Sequence, residues 1–264
     1  MSDTVLLTRP LPGVALLTLN RPDRLNAWTD ELAAKYFGFL DQCADDPEVV
    51  VIVVTGAGKG FCAGADMGAL EKIGANPTQG AEIAAGKTDQ MYTTTIPKPV
   101  IAAINGACVG LGLAQAMMCD IRFAAAGAKF GLAFSRRGLI AEYGMAWVLP
   151  RVVGTARAMD LLLSSRMFTA EEAAELGLVN KVLPPDELLP YVLEYAADLV
   201  ANTSPTSLSI IKEQIYRDSN RTLQESHADA VRLMGEAFQR PDFKEGISSF
   251  LEKRPAKFLP FSRR

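Results

Sequence analysis

A long β-branched run that stops at a cluster of glycines constrains this chain more than any other feature. The run VVVIVVT covers Val49 to Thr55, and Gly56, Gly58, Gly60 and Gly64 follow it closely. Such an apolar run, bounded by a turn signal, is typical of a strand buried on both faces. Glycine lacks a Cβ atom and tolerates positive φ, so the turn after this strand lets backbone amides approach a ligand. The turn is therefore a candidate binding site whose donors are main-chain N–H groups.

A second strand with the same ending follows in the segment KPVIAAINGACVGLG, residues 98–112. A glycine turn here opens a short helix, whose first amides lack intrahelical acceptors and lie at the positive end of the helix dipole. Two such turns could direct donors at one oxygen that gains negative charge during a reaction. From spacing alone, tight turns within an α/β core remain an equal alternative. A phosphate loop is disfavoured, because GAGKGF lacks the last glycine of GxGxxG and no GxxxxGK[ST] occurs.

Composition narrows the functional classes. The chain has 264 residues, 49% of them hydrophobic and 22% charged, and a net charge of -3, which disfavours nucleic-acid partners. No signal peptide and no apolar run of membrane-spanning length is apparent. The four cysteines have neither metal-ligand nor disulfide spacing, so we expect reduced thiols in a cytoplasmic protein. A sole histidine, His227, disfavours histidine-dependent nucleophilic catalysis, and no metal site is expected.

Hydrophobic periodicity predicts alternating strands and helices, and therefore an α/β fold. Residues 14–20 are predicted to form a strand and residues 30–44 a helix. The polar stretch 71–86 has weak periodicity and is predicted to be a mobile loop. Helices dominate from residue 155 onward, and Ser204-Pro205 is a typical helix start. We expect a core over residues 1–200 and a C-terminal helical region over residues 201–264.

Five segments together carry a family resemblance. They are NRPDRLNAW (20–28), FCAGADM (61–67), KPVIAAINGACVGLG (98–112), AMMCDIRFAAAGAKFG (116–131) and FLEKRPAKF (250–258). Their order and spacing resemble the crotonase, or enoyl-CoA hydratase/isomerase, superfamily over almost the whole chain. The resemblance implies a spiral of ββα units with a helical C-terminal trimerisation region. It also implies acyl-CoA thioester substrates, no cofactor beyond the coenzyme A of the substrate, and a homotrimer or a dimer of trimers.

The resemblance also implies where the substrate lies. The backbone N–H groups of Ala63 and Leu111 are expected to hold the thioester oxygen as an enolate. Asp66 is expected to cap the following helix. Phe250 and Lys253 match coenzyme A contacts, although a solvated basic tail that includes Arg263 and Arg264 is the alternative reading. The full set of positions expected to bind coenzyme A or the acyl group is Arg24, Leu25, Ala27, Gly64, Ala65, Asp66, Gly110, Ala114, Phe134, Phe250 and Lys253.

The acid–base residues depart from the hydratase pattern. Ala114 and Phe134 occupy the positions of the two hydratase glutamates, and the next carboxylate is Glu142 in GLIAEYG. Its placement resembles the glutamate of Δ3,Δ2-enoyl-CoA isomerases, in which one carboxylate moves a proton from C2 to C4. We therefore expect an isomerase with Glu142 as its single base. A hydratase that uses a non-standard second acid, such as Asp66 or Asp89, and a catalytically silent acyl-CoA-binding protein are the alternatives.

Overall fold

The computed structural model describes residues 3–76, 78 and 89–261, and these form two sheets surrounded by helices. The strands are β1 (Val5–Leu11), β2 (Val14–Leu19), β3 (Val51–Gly56), β4 (Gly60–Cys62), β5 (Val100–Ile104), β6 (Ala107–Val109), β7 (Ile121–Ala125), β8 (Lys129–Gly131), β9 (Phe168–Thr169) and β10 (Lys181–Leu183). The helices are α1 (Asp30–Asp45), α2 (Met67–Ala75), α3 (Leu111–Met118), α4 (Met145–Val153), α5 (Thr155–Ser164), α6 (Ala170–Glu175), α7 (Leu188–Asn202), α8 (Pro205–Asp218), α9 (Leu223–Phe238) and α10 (Pro241–Glu252).

The β-branched run forms β3 at the centre of the larger sheet. The strand order there is β1-β2-β3-β5-β7-β10, with β2, β3, β5, β7 and β10 parallel. Val51 and Val53 face a core shared with α7, whereas Ile52 and Val54 face the core that contains α1. Both faces of the strand are therefore covered, which explains why the side chains from Val49 to Val54 are all apolar.

The chain alternates between the two sheets, and this alternation produces the repeated turn. β3 and β4 are followed by α2, and β5 and β6 by α3; the smaller sheet has the order β4-β6-β8-β9. Because β4 and β6 are neighbouring parallel strands, their carboxyl ends and the helices that follow them meet at one edge. Gly112 permits this packing, since a Cβ atom there would lie 2.1 Å from the Cys62 carbonyl oxygen. The spiral of ββα units is confirmed.

The predicted mobile loop over residues 71–86 is wrong at its beginning. Residues 71–75 form the end of α2, which Asp66 caps by accepting a hydrogen bond from the Gly68 amide at 3.1 Å. A good cap and the alternation of Leu70 and Ile73 with polar residues suffice for two turns of helix. Residues 77 and 79–86 of this prediction lie outside the described residues.

Helix α8 begins where the sequence predicts. Ser204 caps α8 by accepting a hydrogen bond from the Ser207 amide, with Pro205 at the first helical position. The ammonium group of Lys212 joins α8 to the core through an ion pair with Asp120 at 2.8 Å. None of the described helices combines the length and apolarity needed to cross a membrane. All four cysteines are buried free thiols.

The helices α8 to α10 leave large apolar side chains exposed. The chain exposes 13,912 Å², against about 11,200 Å² expected for a compact monomer of this mass. Much of the exposed apolar surface lies on these helices, where the side chains concerned are Ile211, Ile215, Leu223, Val231, Met234, Phe238, Phe243, Ile247, Phe250 and Leu251. An exposed apolar surface of this extent indicates an interface.

Candidate active site

The two glycine turns touch each other at the junction of β4 and β6. Gly64 follows β4 with φ +104°, and Gly110 follows β6 with φ +53°. A Cβ atom on Gly64 would lie 3.1 Å from the Val109 carbonyl oxygen and 3.9 Å from the Leu111 nitrogen. One on Gly110 would lie 3.9 Å from the Gly64 Cα atom. The backbone after each strand is thus brought to a single place, as the paired motifs predict.

In the first turn, the amide that is free to bind a ligand is that of Ala65 and not the predicted one of Ala63. The Ala63 N–H already donates to the Leu25 carbonyl oxygen at 3.0 Å, so it cannot serve a substrate without losing that bond. Ala65 forms a parallel β-bridge with Trp28. In this bridge the Trp28 N–H donates to the Gly64 carbonyl oxygen, and the Asp66 N–H donates to the Trp28 carbonyl oxygen. This pattern turns the Ala65 N–H away from Trp28.

Two free amides therefore lie at the touching turns. Within the described parts of the chain, neither the Ala65 N–H nor the Leu111 N–H has an acceptor. Leu111 is the first residue of α3, where an amide without an intrahelical partner is the rule. Together these groups can stabilise an oxygen that develops negative charge.

The segment RLNA is fixed to the first turn by a residue that the sequence analysis did not single out. Asn26 is fully buried with φ +57°. Its amide group donates to the carbonyl oxygens of Ala57 at 3.0 Å and Gly60 at 2.8 Å, and its side-chain oxygen accepts from the Arg21 N–H at 2.8 Å. The sequence signal that could have identified Asn26 is its position as a polar residue within the family motif NRPDRLNAW.

Of the predicted binding positions in this segment, Arg24 and Leu25 are exposed and Ala27 is half-buried. The Leu25 carbonyl oxygen holds the Ala63 amide, as described above. The segment therefore lies against the first glycine turn, and its residues Arg24 and Leu25 are exposed to solvent.

Asp66 is a structural carboxylate rather than a free acid. Besides capping α2, it forms an ion pair with the Arg21 guanidinium at 3.0 Å. The hydrogen bond from Arg21 lowers the pKa of Asp66, and the Gly68 amide lowers it further. The predicted capping role is confirmed, and Asp66 is not available to protonate a substrate near neutral pH.

Glu142 lies in the turn that leads into α4, and α4 packs against α3. Its side chain is half-buried, and it has no hydrogen bond or ion pair within the described ranges 3–76, 78 and 89–261. Burial alone raises the pKa of this carboxyl group. Ala114 and Phe134 are both buried in the apolar core that also contains Leu111. The segment thus supplies a carboxylate without a neutralising partner, as a base requires.

Phe250 and Lys253 lie at the end of the last helix, α10. Phe250 is strongly exposed near the end of α10, and Lys253 ends that helix with φ +53°. No hydrogen bond or ion pair joins either described residue to the two turns. Their predicted contact with coenzyme A stays a prediction, and Arg263 and Arg264 lie outside the described residues.

Two surface cavities lie elsewhere in the fold. One of about 280 Å³ lies among α8, α9, α10 and Phe258, and one of about 320 Å³ lies beside β9. Neither is lined by Ala65, Leu111 or Glu142. The candidate active site is therefore defined here by its chemistry, two amides and one carboxylate.

Comparison with known proteins agrees with this geometry. The family model for enoyl-CoA hydratase/isomerase matches residues 11–260. The chain belongs to the enoyl-CoA hydratase/isomerase family. It is 39% identical to a 1,2-epoxyphenylacetyl-CoA isomerase of Escherichia coli strain K12, over 93% of this chain and 95% of that protein.

Solved structures of the same family include proteins named for both reactions. An enoyl-CoA hydratase of Mycobacterium marinum is 50% identical with a TM-score of 0.72, over 83% of this chain and all of that one. A monofunctional enoyl-CoA isomerase of M. smegmatis is 34% identical, also with a TM-score of 0.72, over 86% of this chain and 99% of that one. The relatives thus establish the family and leave hydration and isomerisation to be separated by the site.

Proposed function

We propose that this enzyme moves the double bond of a 3-enoyl-CoA to give the 2-enoyl-CoA, with Glu142 as its single base. The observation that carries the proposal is the combination of one partly buried, unpaired carboxylate with apolar residues at both hydratase acid positions. Water addition needs a group to activate water and a group to protonate Cα. Bond migration needs only one group that accepts a proton and returns it.

The reaction follows from the two amides and the carboxylate. Glu142 removes a proton from C2, and the electron pair of that C–H bond delocalises into the thioester, so that negative charge collects on its oxygen. The N–H groups of Ala65 and Leu111 bind this oxygen and stabilise the dienolate, at ~3 kcal/mol for each donor. Protonated Glu142 then returns the proton to C4, and the double bond comes to rest between C2 and C3.

Partial burial of Glu142 suits this role. A carboxylate that is poorly hydrated and has no cationic partner is a stronger base than one in water. After proton transfer the neutral acid is favoured by the same surroundings, so that it remains in place to deliver the proton to C4. The proton transfer moves one negative charge from the carboxylate to the thioester oxygen, so the two groups never carry a full negative charge at the same time.

Hydration is the second candidate, because several relatives, including the 50% identical protein, are named hydratases. It would require a second acid–base group. Asp66 is bonded to Arg21 and Gly68, and the exposed Asp89 accepts a hydrogen bond from the Met91 amide. The third alternative, a silent acyl-CoA-binding protein, predicts binding without turnover.

We further propose that the chain assembles into a homotrimer or a dimer of trimers through the exposed apolar side chains of α8 to α10. The supporting observation is the set of large apolar side chains that these three helices leave exposed. Phe250 and Lys253 would reach coenzyme A in such an assembly. The proposed reaction uses only the base and the two amides, so it needs no cofactor beyond the coenzyme A of the substrate.

A substrate comparison in D₂O tests the reaction. Wild-type protein is incubated with a 3-enoyl-CoA or a 2-enoyl-CoA, and the products are followed by NMR. We expect bond migration, and we expect Glu142→Gln to reduce its rate by about 10²–10⁴-fold. Glu175→Gln, which changes an exposed carboxylate on α6, is the matched control and should retain wild-type activity.

Each other outcome has a distinct meaning. Accumulation of 3-hydroxyacyl-CoA would favour hydration, and tight coenzyme A binding without turnover would favour the silent protein. Isomerisation that survives in Glu142→Gln would refute the assigned base.

A further inference from the structure

Tyr143, directly after Glu142, has a backbone conformation that tyrosine rarely adopts. Its φ is +53°, and Gly144 follows with φ +71° and ψ 10°. The Met145 N–H donates to the Glu142 carbonyl oxygen at 3.0 Å, which closes residues 142–145 as a β-turn with two left-handed central residues. This is the type I′ arrangement, which favours asparagine, aspartate or glycine at the position that Tyr143 occupies. A bulky residue there is strained.

Tyr143 differs from the other described non-glycine residues with positive φ. Three of them, Leu25, Ser165 and Lys253, end helices, where the left-handed conformation is usual. The other two are a small residue and an asparagine, Ala133 and Asn26, for which this conformation costs less. Tyr143 instead precedes a helix, so no helix end accounts for it. Strain of this kind is concentrated at functional sites.

The side chain of Tyr143 adjoins the candidate base in sequence and reaches the apolar core. It is half-buried and packs against the apolar core, and the charge of Glu142 contributes to raising the pKa of its hydroxyl group. That hydroxyl has no hydrogen bond within the described part of the chain, so the polar end of tyrosine does not explain its presence. On the other side, the Met91 sulfur lies 3.5 Å from where a Cβ atom on Gly144 would lie.

Within residues 89–261, the charged groups on the elements near this turn are bonded elsewhere. The guanidinium of Arg136 donates to the Ser164 carbonyl oxygen and that of Arg137 to the Ala133 carbonyl oxygen. Asp89, near Met91, accepts the Met91 amide, and Arg151 on α4 stacks on Trp147. Burial is the one cause that raises the pKa of Glu142, so the groups that bury it set its strength as a base.

We propose that Tyr143 is a positioning residue, retained in a strained turn because its ring shields the Glu142 carboxylate from water and fixes its direction. A smaller residue would relax the turn and admit water to the carboxylate. The inference rests on the proposed role of Glu142 as base. It assigns to the tyrosine ring, and not to its hydroxyl, the task of making that base effective.

The test compares Tyr143→Asn with Tyr143→Phe. Asparagine suits the turn but removes the ring, so the relief of strain offsets the lost packing and the variant should melt near the wild-type temperature. Its kcat should fall about tenfold, KM should change less than twofold, and the acidic limb of kcat/KM should move to lower pH as the carboxylate becomes hydrated. Phenylalanine keeps the ring and should reproduce the wild-type pH profile.

A direct titration separates this inference from the proposed reaction. Carbon-13 NMR of glutamate carboxyl groups, with Glu142→Gln identifying the signal, reports the Glu142 pKa whether or not the protein is an isomerase. We expect Tyr143→Asn to lower that pKa and Tyr143→Phe to leave it unchanged. An unchanged pKa and kcat in Tyr143→Asn would overturn the inference, and so would a Tyr143→Phe variant that behaves like Tyr143→Asn. Should Tyr143→Asn fail to fold, Tyr143→Gly is measured instead with the same expectation.

Discussion

Replacing Gly64 by alanine should force apart the two turns that hold the free amides. The Gly64 backbone has φ +104°, and the new Cβ atom would lie 3.1 Å from the Val109 carbonyl oxygen. A left-handed conformation costs an L-residue roughly 1–2 kcal/mol, and the close contact adds to this. We therefore expect the free energy of unfolding to fall by about 2 kcal/mol.

The same change should have a larger effect on catalysis. Because the Gly64 Cβ position lies 3.9 Å from the Leu111 nitrogen, relief of the contact moves the Ala65 and Leu111 amides relative to each other. The loss of one such donor costs about 10²–10³ in kcat. Stability is measured by urea denaturation, and kcat by the rate of conversion of a 3-enoyl-CoA.

A matched substitution shows whether the effect belongs to the turn. Gly38 lies inside α1, and a Cβ atom there meets nothing within 4 Å. Gly38→Ala should stabilise the fold by about 0.5–1 kcal/mol and leave kcat unchanged. If Gly64→Ala were as stable as wild type and kept kcat within about threefold, the reasoning from contact to oxyanion binding would be refuted.

Three further predictions concern the base, the motif and the assembly. Burial raises the pKa of Glu142 above its ordinary 4.5, so kcat/KM should decline as pH falls through a value above 4.5. The folded state also holds this proton more tightly than the unfolded chain does, so the stability due to Glu142 should fall as pH rises through the same window. Glu142→Gln should abolish that pH dependence of stability. Asn26→Ala leaves the Ala57 and Gly60 carbonyl oxygens unpaired and should cost about 3 kcal/mol in urea denaturation; a loss below 1 kcal/mol would contradict it. Met234→Glu should dissociate the oligomer in sedimentation velocity, whereas Gln224→Glu on the same helix should not. A monomeric wild-type protein would contradict the proposed interface on α8 to α10.

Features set by neighbouring residues could be predicted from the sequence. The β-branched run gives β3 because its side chains suit a strand covered on both faces. Ser204 and Pro205 start α8 because a side-chain acceptor and a fixed φ favour a helix start. The same local logic identifies Asp66 as a cap.

Which amide is free could not be predicted in this way. Ala63 and Ala65 are both alanines beside Gly64, and the motif alone does not say which N–H points outward. The choice is made by two contacts from a distant segment: Leu25 accepts from Ala63, and Trp28 pairs with Ala65. Residues two apart in a regular strand direct their N–H groups to the same side, so alternation alone does not separate Ala63 from Ala65. The positive φ of Gly64 between them and the hydrogen bonds to Leu25 and Trp28 decide the donor.

The sequence by itself determined the family, the two glycine turns and the absence of the hydratase acids at Ala114 and Phe134, since each depends on residue types at fixed spacing. Only the tertiary structure decided that the turns touch, that Ala65 rather than Ala63 offers its amide, and that Glu142 is partly buried without a partner. It also revealed the strained turn at Tyr143. The physical reason is that the availability of an amide and the basicity of a carboxylate depend on what lies around them, and the groups around them here come from distant segments as well as adjacent residues.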